Sequence, residues 1–162
     1  MSPYLSSQFL LSDTLSITYS LTSDLSQLTQ LRLSSKSTTR PSSDISTLVF
    51  WKNFILRTWK NGLLPEDWDR LDTRSLTAFQ KKVYPITGTL PFGQTISYGT
   101  LSERCGSPKG ARAIGLAMSR NPFALIVPCH RVVAANGALT GYAYGLELKQ
   151  ELLDLEALLR NA

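Results

Sequence analysis

Leu15, Ile17, Tyr19 and Leu21 alternate with polar residues, the period of a strand with one buried face. Leu31 and Leu33 repeat that spacing after a polar stretch over 22–27, so the two runs predict a hairpin. The polar run 34–43 (SSKSTTRPSS) predicts a solvated connection. Over 46–60 the period changes. Leu48, Phe50, Trp51, Phe54, Ile55 and Trp59 fall near helical spacing, and Asn61-Gly62 supplies a stop. A second helix is predicted over 73–83, with Leu76, Phe79 and Val83 on one face, and a turn over 87–92. Ser97 can cap a helix over 98–105, Gly106-Ser107 turns the chain, and Pro108 suits the first position of the next helix, 109–119. The apolar run 123–127 reads as a buried strand, and 146–159 as an amphipathic helix whose core side is largely leucine.

The helix pair over 98–119 has the outline of a helix-turn-helix, whose second helix enters a groove of DNA. By itself the outline is weak, because many helix pairs in all-α cores share it. The second helix (KGARAIGLAMS) offers few long polar side chains for base edges. Its small residues would let the backbone lie close to DNA, with Arg112 as the one long cationic probe.

Composition sharpens this picture. The chain has 162 residues, 43% of them apolar, enough for a core in one domain or two small ones. Its net charge is +5, and the excess is local. Residues 81–131 carry seven basic side chains against one acidic, Glu103, so nucleic-acid contact is expected there. No apolar run approaches the roughly 20 residues of a membrane helix. The start MSPYLSSQFLL lacks the pattern of a secretory signal, so none is expected. One His and two Cys cannot alone complete a four-ligand zinc site, and the two Cys are expected as free thiols.

Candidate chemistry concentrates in 121–131, NPFALIVPCHR. A lone Cys is usually a small core residue. Cys129, however, sits beside the chain's single His, between Pro128 and Arg131, and a nearby imidazole and positive charge favour the nucleophilic thiolate. Successive side chains of an extended chain point to opposite faces, so a water or a turn must join Cys129 to His130. A third group should orient the His. Glu147, Glu151, Asp154 and Glu156 are all available, and spacing does not choose among them.

These segments resemble a known family. FGQTISYGTL, ARAIGLAM, NPFALIVPCHRVV and NGALTGYAYGLELKQELLDLE are similar to the O6-alkylguanine-DNA alkyltransferases (methylated-DNA–protein-cysteine methyltransferases), over about residues 73–159. The resemblance implies direct, stoichiometric transfer of a methyl or small alkyl group from guanine O6, and from thymine O4, to Cys129. It makes His130 the base that deprotonates Cys129 through a water, Glu156 the carboxylate that holds this His, Asn121 the brace of the active-site turn, and Tyr98 the proton donor to the departing guanine. It assigns Arg112 to the base stack while the damaged guanine is flipped out, with Ala111, Tyr98 and Arg131 as further DNA contacts. Val132, Gly141, Tyr142 and Tyr144 would wall the guanine pocket. No cofactor or metal is implied. The partner is double-stranded DNA carrying alkylated bases, met by a monomer in a prokaryotic cytoplasm or a eukaryotic nucleus.

The expected architecture is α+β: a small, partly β N-terminal cap over 1–72 and a mainly helical C-terminal domain over 73–162 for DNA binding and transfer. The likeness fades before residue 73. Some members hold a structural zinc in the N-terminal half through Cys and His, and residues 1–78 contain neither. Tyr144 stands where many members carry Gly. Three rival readings remain. Alkyltransferase-like proteins bind and flag lesions without repairing them, but they lack the acceptor Cys that Cys129 supplies. A Cys–His hydrolase would need an oxyanion site that the sequence does not display. A plain helix-turn-helix regulator leaves the thiol unexplained. Glu156→Gln is expected to slow transfer while leaving the fold largely intact.

Overall fold

The computed structural model describes residues 5–11, 15–24, 26–34 and 45–161. Three antiparallel strands open the chain: β1 (Leu5–Leu10), β2 (Ser16–Leu21) and β3 (Leu28–Ser34), in the order β1-β2-β3. The predicted hairpin is β2–β3, with Ile17 opposite Leu33 and Tyr19 opposite Leu31. Those four side chains are buried with Leu15 and Leu21, as their alternation requires. β1 was not foreseen, since LSSQFL shows no clean period of two. Of the expected connection over 34–43, Ser34 ends β3 and the rest lies outside the described residues.

Helix α1 (Ile45–Asn61) turns Trp51, Phe54, Ile55 and Trp59 of the expected set into the core, whereas Phe50 is exposed. A 3-10 turn, Pro65–Arg70, follows, and Asp67 within it receives the Leu64 N–H and the Arg57 guanidinium. Helix α2 (Ala78–Gly88) begins five residues later than expected and ends later as well. Its start is fixed by a capping box. Gln80 donates its backbone N–H to Thr77 Oγ1, and Thr77 donates its own N–H to Gln80 Oε1. It continues through Pro85 to Gly88, where a Cβ would come within 2.8 Å of the Leu63 side chain. The close approach of Leu63 therefore requires glycine there.

Helices α3 (Tyr98–Arg104) and α4 (Ala111–Ser119) form the expected pair, with Ser97 capping the first through Thr100 N–H. The second starts later than predicted. Gly110 is its N-cap and Pro108 lies in the turn, because Ser102 Oγ reaches across the turn to the Ser107 carbonyl and accepts from the Gly110 N–H. Short strands β4 (Ile96–Ser97) and β5 (Val132–Val133) pair in parallel, and α5 (Leu146–Arg160) closes the chain.

Residues 123–127 are buried but form no strand. Ile126 N–H donates to Ala124, Val127 N–H to Phe123 and Cys129 N–H to Val127, so the run folds through successive tight turns. Leu125 has φ 67°. Among the described residues, Phe123 alone of this run bridges a strand, pairing with Leu31 of β3. One continuous apolar cluster joins the sheet, α1, α2, this turn region and α5. Among the described residues no helix is long and apolar enough to cross a membrane.

Candidate active site

The tight turns over 123–127 deliver the chain to a 3-10 turn, Cys129–Arg131, in which all three side chains are buried. The expected extended chain is therefore absent here, and so is the strict alternation of faces. Asn121 fixes the turn from inside. Its Oδ1 accepts the Phe123 N–H at 2.9 Å. Its Nδ2 donates to the Val127 carbonyl at 2.8 Å and lies 3.3 Å from Cys129 Sγ.

His130 and Glu156 meet at 2.7 Å, Nε2 to Oε1, and both side chains are fully buried. Burial pushes the Glu156 carboxyl up, but hydrogen bonds and charge from His130 and Arg131 outweigh it and bring it down to about 2. An ionised carboxylate only accepts, so His130 carries its proton on Nε2. Nδ1 is then the lone-pair nitrogen, and it is buried with no hydrogen-bond partner among the described residues. Burial also lowers the His130 pKa, against the pull of Glu156, and raises that of the Cys129 thiol, against Asn121, Lys149 and Tyr142. The resting pair is thus a neutral thiol beside a neutral imidazole.

Arg131 turns inward. Its Nε lies 3.0 Å from Glu156 Oε2, its Nη1 donates to the Leu90 carbonyl at 2.6 Å and its Nη2 to the Trp59 carbonyl at 2.7 Å. At 1% exposure it is unavailable to DNA, which corrects the expected DNA contact. The guanidinium is held because a buried carboxylate needs a paired cation.

The other wall comes from residues 140–149. Lys149 of α5 is fully buried. Its Nζ donates to the Val132 carbonyl at 2.7 Å and the Thr140 carbonyl at 3.0 Å, and lies 5.8 Å from the ring centres of both Tyr98 and Tyr142. Tyr98 donates its hydroxyl to the Thr140 carbonyl at 3.1 Å, near that of Gly141. The buried Tyr142 hydroxyl faces the Cys129 thiol, and its ring meets Tyr144 edge to face at 5.5 Å. Tyr144 reaches back to the sheet, donating to the Leu31 carbonyl at 3.3 Å. A groove lined by Asn121, Tyr144, Arg32 and Arg120 runs along this seam.

The structure thus gathers Cys129, His130, Glu156, Asn121, Tyr98, Val132, Gly141, Tyr142 and Tyr144. Ala111 and Arg112 stand apart on the first turn of α4, with Arg112 exposed. α4 nevertheless passes over Tyr98, since a Cβ on Gly115 would lie 3.9 Å from its ring. Trp59, Gly93 and Lys149 were not anticipated. Trp59 Nε1 and the Gly93 N–H both donate to Glu156, at 2.6 and 3.0 Å. Lys149 could have been found from its spacing, because Lys149, Leu152 and Glu156 share one face of α5. Among the described residues no three His, Cys, Asp or Glu side chains are grouped to hold a metal ion.

Residues 78–158 match the family described as 6-O-methylguanine DNA methyltransferase, DNA binding domain. A methylated-DNA–protein-cysteine methyltransferase of Methanosarcina acetivorans is 55% identical over 80 residues, 49% of this chain and 51% of that protein. The one from Mycolicibacterium paratuberculosis is 50% identical over 95 residues, 59% of this chain and 57% of its own length. The matched stretch thus spans about half the length of these curated relatives. The crystal structure of Mycobacterium tuberculosis OGT in complex with DNA is similar over 94% of this chain and 92% of that one, at 36% identity and a TM-score of 0.71. The Pyrococcus kodakaraensis O6-methylguanine-DNA methyltransferase aligns with 93% of this chain and 97% of its own, at 25% identity and a TM-score of 0.64. With half its length under the family's DNA-binding domain and its fold shared nearly end to end, the chain belongs to the 6-O-methylguanine DNA methyltransferase family.

Proposed function

We propose that this protein repairs DNA by moving a methyl or small alkyl group from guanine O6, and from thymine O4, onto Cys129 Sγ. The observation that carries the reading is the buried relay. Glu156 holds His130 by Nε2, which leaves Nδ1 as a base with no partner among the described residues, one residue from a buried thiol. A water bridging Nδ1 and Sγ would carry the thiol proton to His130. The thiolate attacks the alkyl carbon, the S–C bond forms as the C–O6 bond breaks, and the electron pair goes to the guanine. Tyr98 supplies that guanine with a proton, and the imidazolium offsets the charge left behind until the relay resets. In net terms Cys129 exchanges a hydrogen for an alkyl group, and no cofactor enters the balance. A thioether does not revert, so each molecule acts once.

The alkylated oxygen lies inside the duplex, beyond reach of a buried thiol, so the base must be flipped out. In this reading residues 73–162 bind DNA through α3 and α4, Ala111 lets the backbone approach, and Arg112 fills the vacated stack. Val132, Gly141, Tyr142 and Tyr144 enclose the flipped base, residues 1–72 form the cap, and a monomer suffices. Titration with a duplex whose O6-methyl carries a label tests the reading. Label should move to the protein and stop at one methyl per chain. Continued turnover, or binding without transfer, would contradict it.

A further inference from the structure

We propose that Trp59, near the end of α1 in the N-terminal half, is a positioning residue for alkyl transfer, its indole N–H steadying the carboxylate that holds His130. The inference rests on the transfer reading above. Trp59 Nε1 donates to Glu156 Oε1 at 2.6 Å, on the same oxygen that receives His130 Nε2 at 2.7 Å. Its backbone carbonyl accepts Arg131 Nη2 at 2.7 Å. The ring is 2% exposed and stands edge to face with Phe92 at 5.2 Å. Packing alone could be served by any large apolar ring. An indole N–H aimed at a buried, ionised carboxylate is a more specific feature, because indole can only donate.

The consequence is electrostatic. His130 is faced by Glu156 and Lys149 from α5, by its neighbour Arg131, and by Cys129 before it. Glu156 favours a proton on His130, whereas Arg131 and Lys149 oppose it. Each donor on Glu156 Oε1 draws charge away from His130. Without the indole N–H the carboxylate stabilises the imidazolium more strongly, so His130 protonates at higher pH and can no longer accept the thiol proton.

The test is the pH profile of single-turnover methyl transfer from duplex DNA, between about pH 5 and about pH 8, for the parent and Trp59→Phe. The acid limb of the variant should move to higher pH. Transfer on the limb should slow by about threefold or more while the alkaline plateau stays within about twofold. Trp51→Phe is the packing control. Trp51 is buried on the same helix against Phe54 and should leave the profile in place. If Trp59→Phe folds poorly, 3-benzothienylalanine at position 59 keeps the shape and exchanges N–H for sulfur. A competent parent whose profile coincides with that of the Trp59 variant overturns this inference alone. A parent that transfers no methyl overturns the transfer reading, and this inference with it.

Discussion

Glu156 shows how much one residue can carry and how little of that its position reveals. Four carboxylates lie on α5, and spacing did not choose among them. Burial does, together with donors from Trp59, Gly93, His130 and Arg131. Those donors revise the expectation that Glu156→Gln leaves the fold largely intact. A neutral amide would leave the Arg131 guanidinium buried without its counter-ion, and breaking such a pair typically costs about 3–5 kcal/mol. The variant should therefore lose stability in a denaturant titration as well as transfer rate. The pH dependence follows the same logic. The Glu156 pKa is depressed from 4.5 to about 2, so its contribution is complete above the unfolded value and is lost as pH falls from about 4.5 toward about 2. Unfolding midpoints measured from about pH 6 to about pH 3 should fall in the parent. They should fall less steeply in Glu156→Gln, whose side chain does not titrate, and parallel curves would assign the acid sensitivity to other carboxylates. Arg131 was misread for a related reason: a cation beside a reactive motif has no sequence mark that says whether it faces DNA or the interior.

At the scale of elements, legibility followed periodicity. β2, β3, α1 and α5 have clean periods of two or near 3.6, and the structure places them close to expectation. Residues 123–127 are apolar throughout, so they carry no period, and their turns depend on Asn121 and on Leu125 at φ 67°. The start of α2 lies later than expected because Leu76 continues the apolar face upstream of the Thr77 cap. The capping box accounts for the true start, and Thr77→Ala should cost about 1 kcal/mol in chemical denaturation. An unchanged midpoint would mean that something other than the capping box fixes the start. The helix pair carries its own functional prediction. Arg112→Ala should reduce transfer from duplex DNA far more than transfer from the free alkylated base, because only the duplex has a stack to fill. Equal losses would make Arg112 a structural charge.

Across the whole molecule, the N-terminal half reaches the site from two sides, and neither contact has a mark in the sequence of that half. Trp59 touches Glu156, and Leu31 of β3 accepts the Tyr144 hydroxyl while its N–H donates to Pro122. Tyr144 is thus fixed against the sheet beside Tyr142. A methyl group should still fit. A benzyl group should be crowded, and overpacking a fixed pocket costs about 1–3 kcal/mol, roughly tenfold in rate. Tyr144→Gly should therefore raise the rate with O6-benzylguanine and change the rate with methylated duplex little. A ratio of the two rates that does not move would place the restriction elsewhere. All of this rests on Cys129 being the acceptor, and one measurement addresses that directly. The protein is incubated with a duplex containing O6-methylguanine, digested with trypsin and mapped by mass. The account predicts that the peptide from Asn121 to Arg131 gains one CH2 unit, located on Cys129, and that Cys129→Ala still binds the duplex but gains nothing. A methyl group found on Cys105, or transfer undiminished in Cys129→Ala, would contradict it.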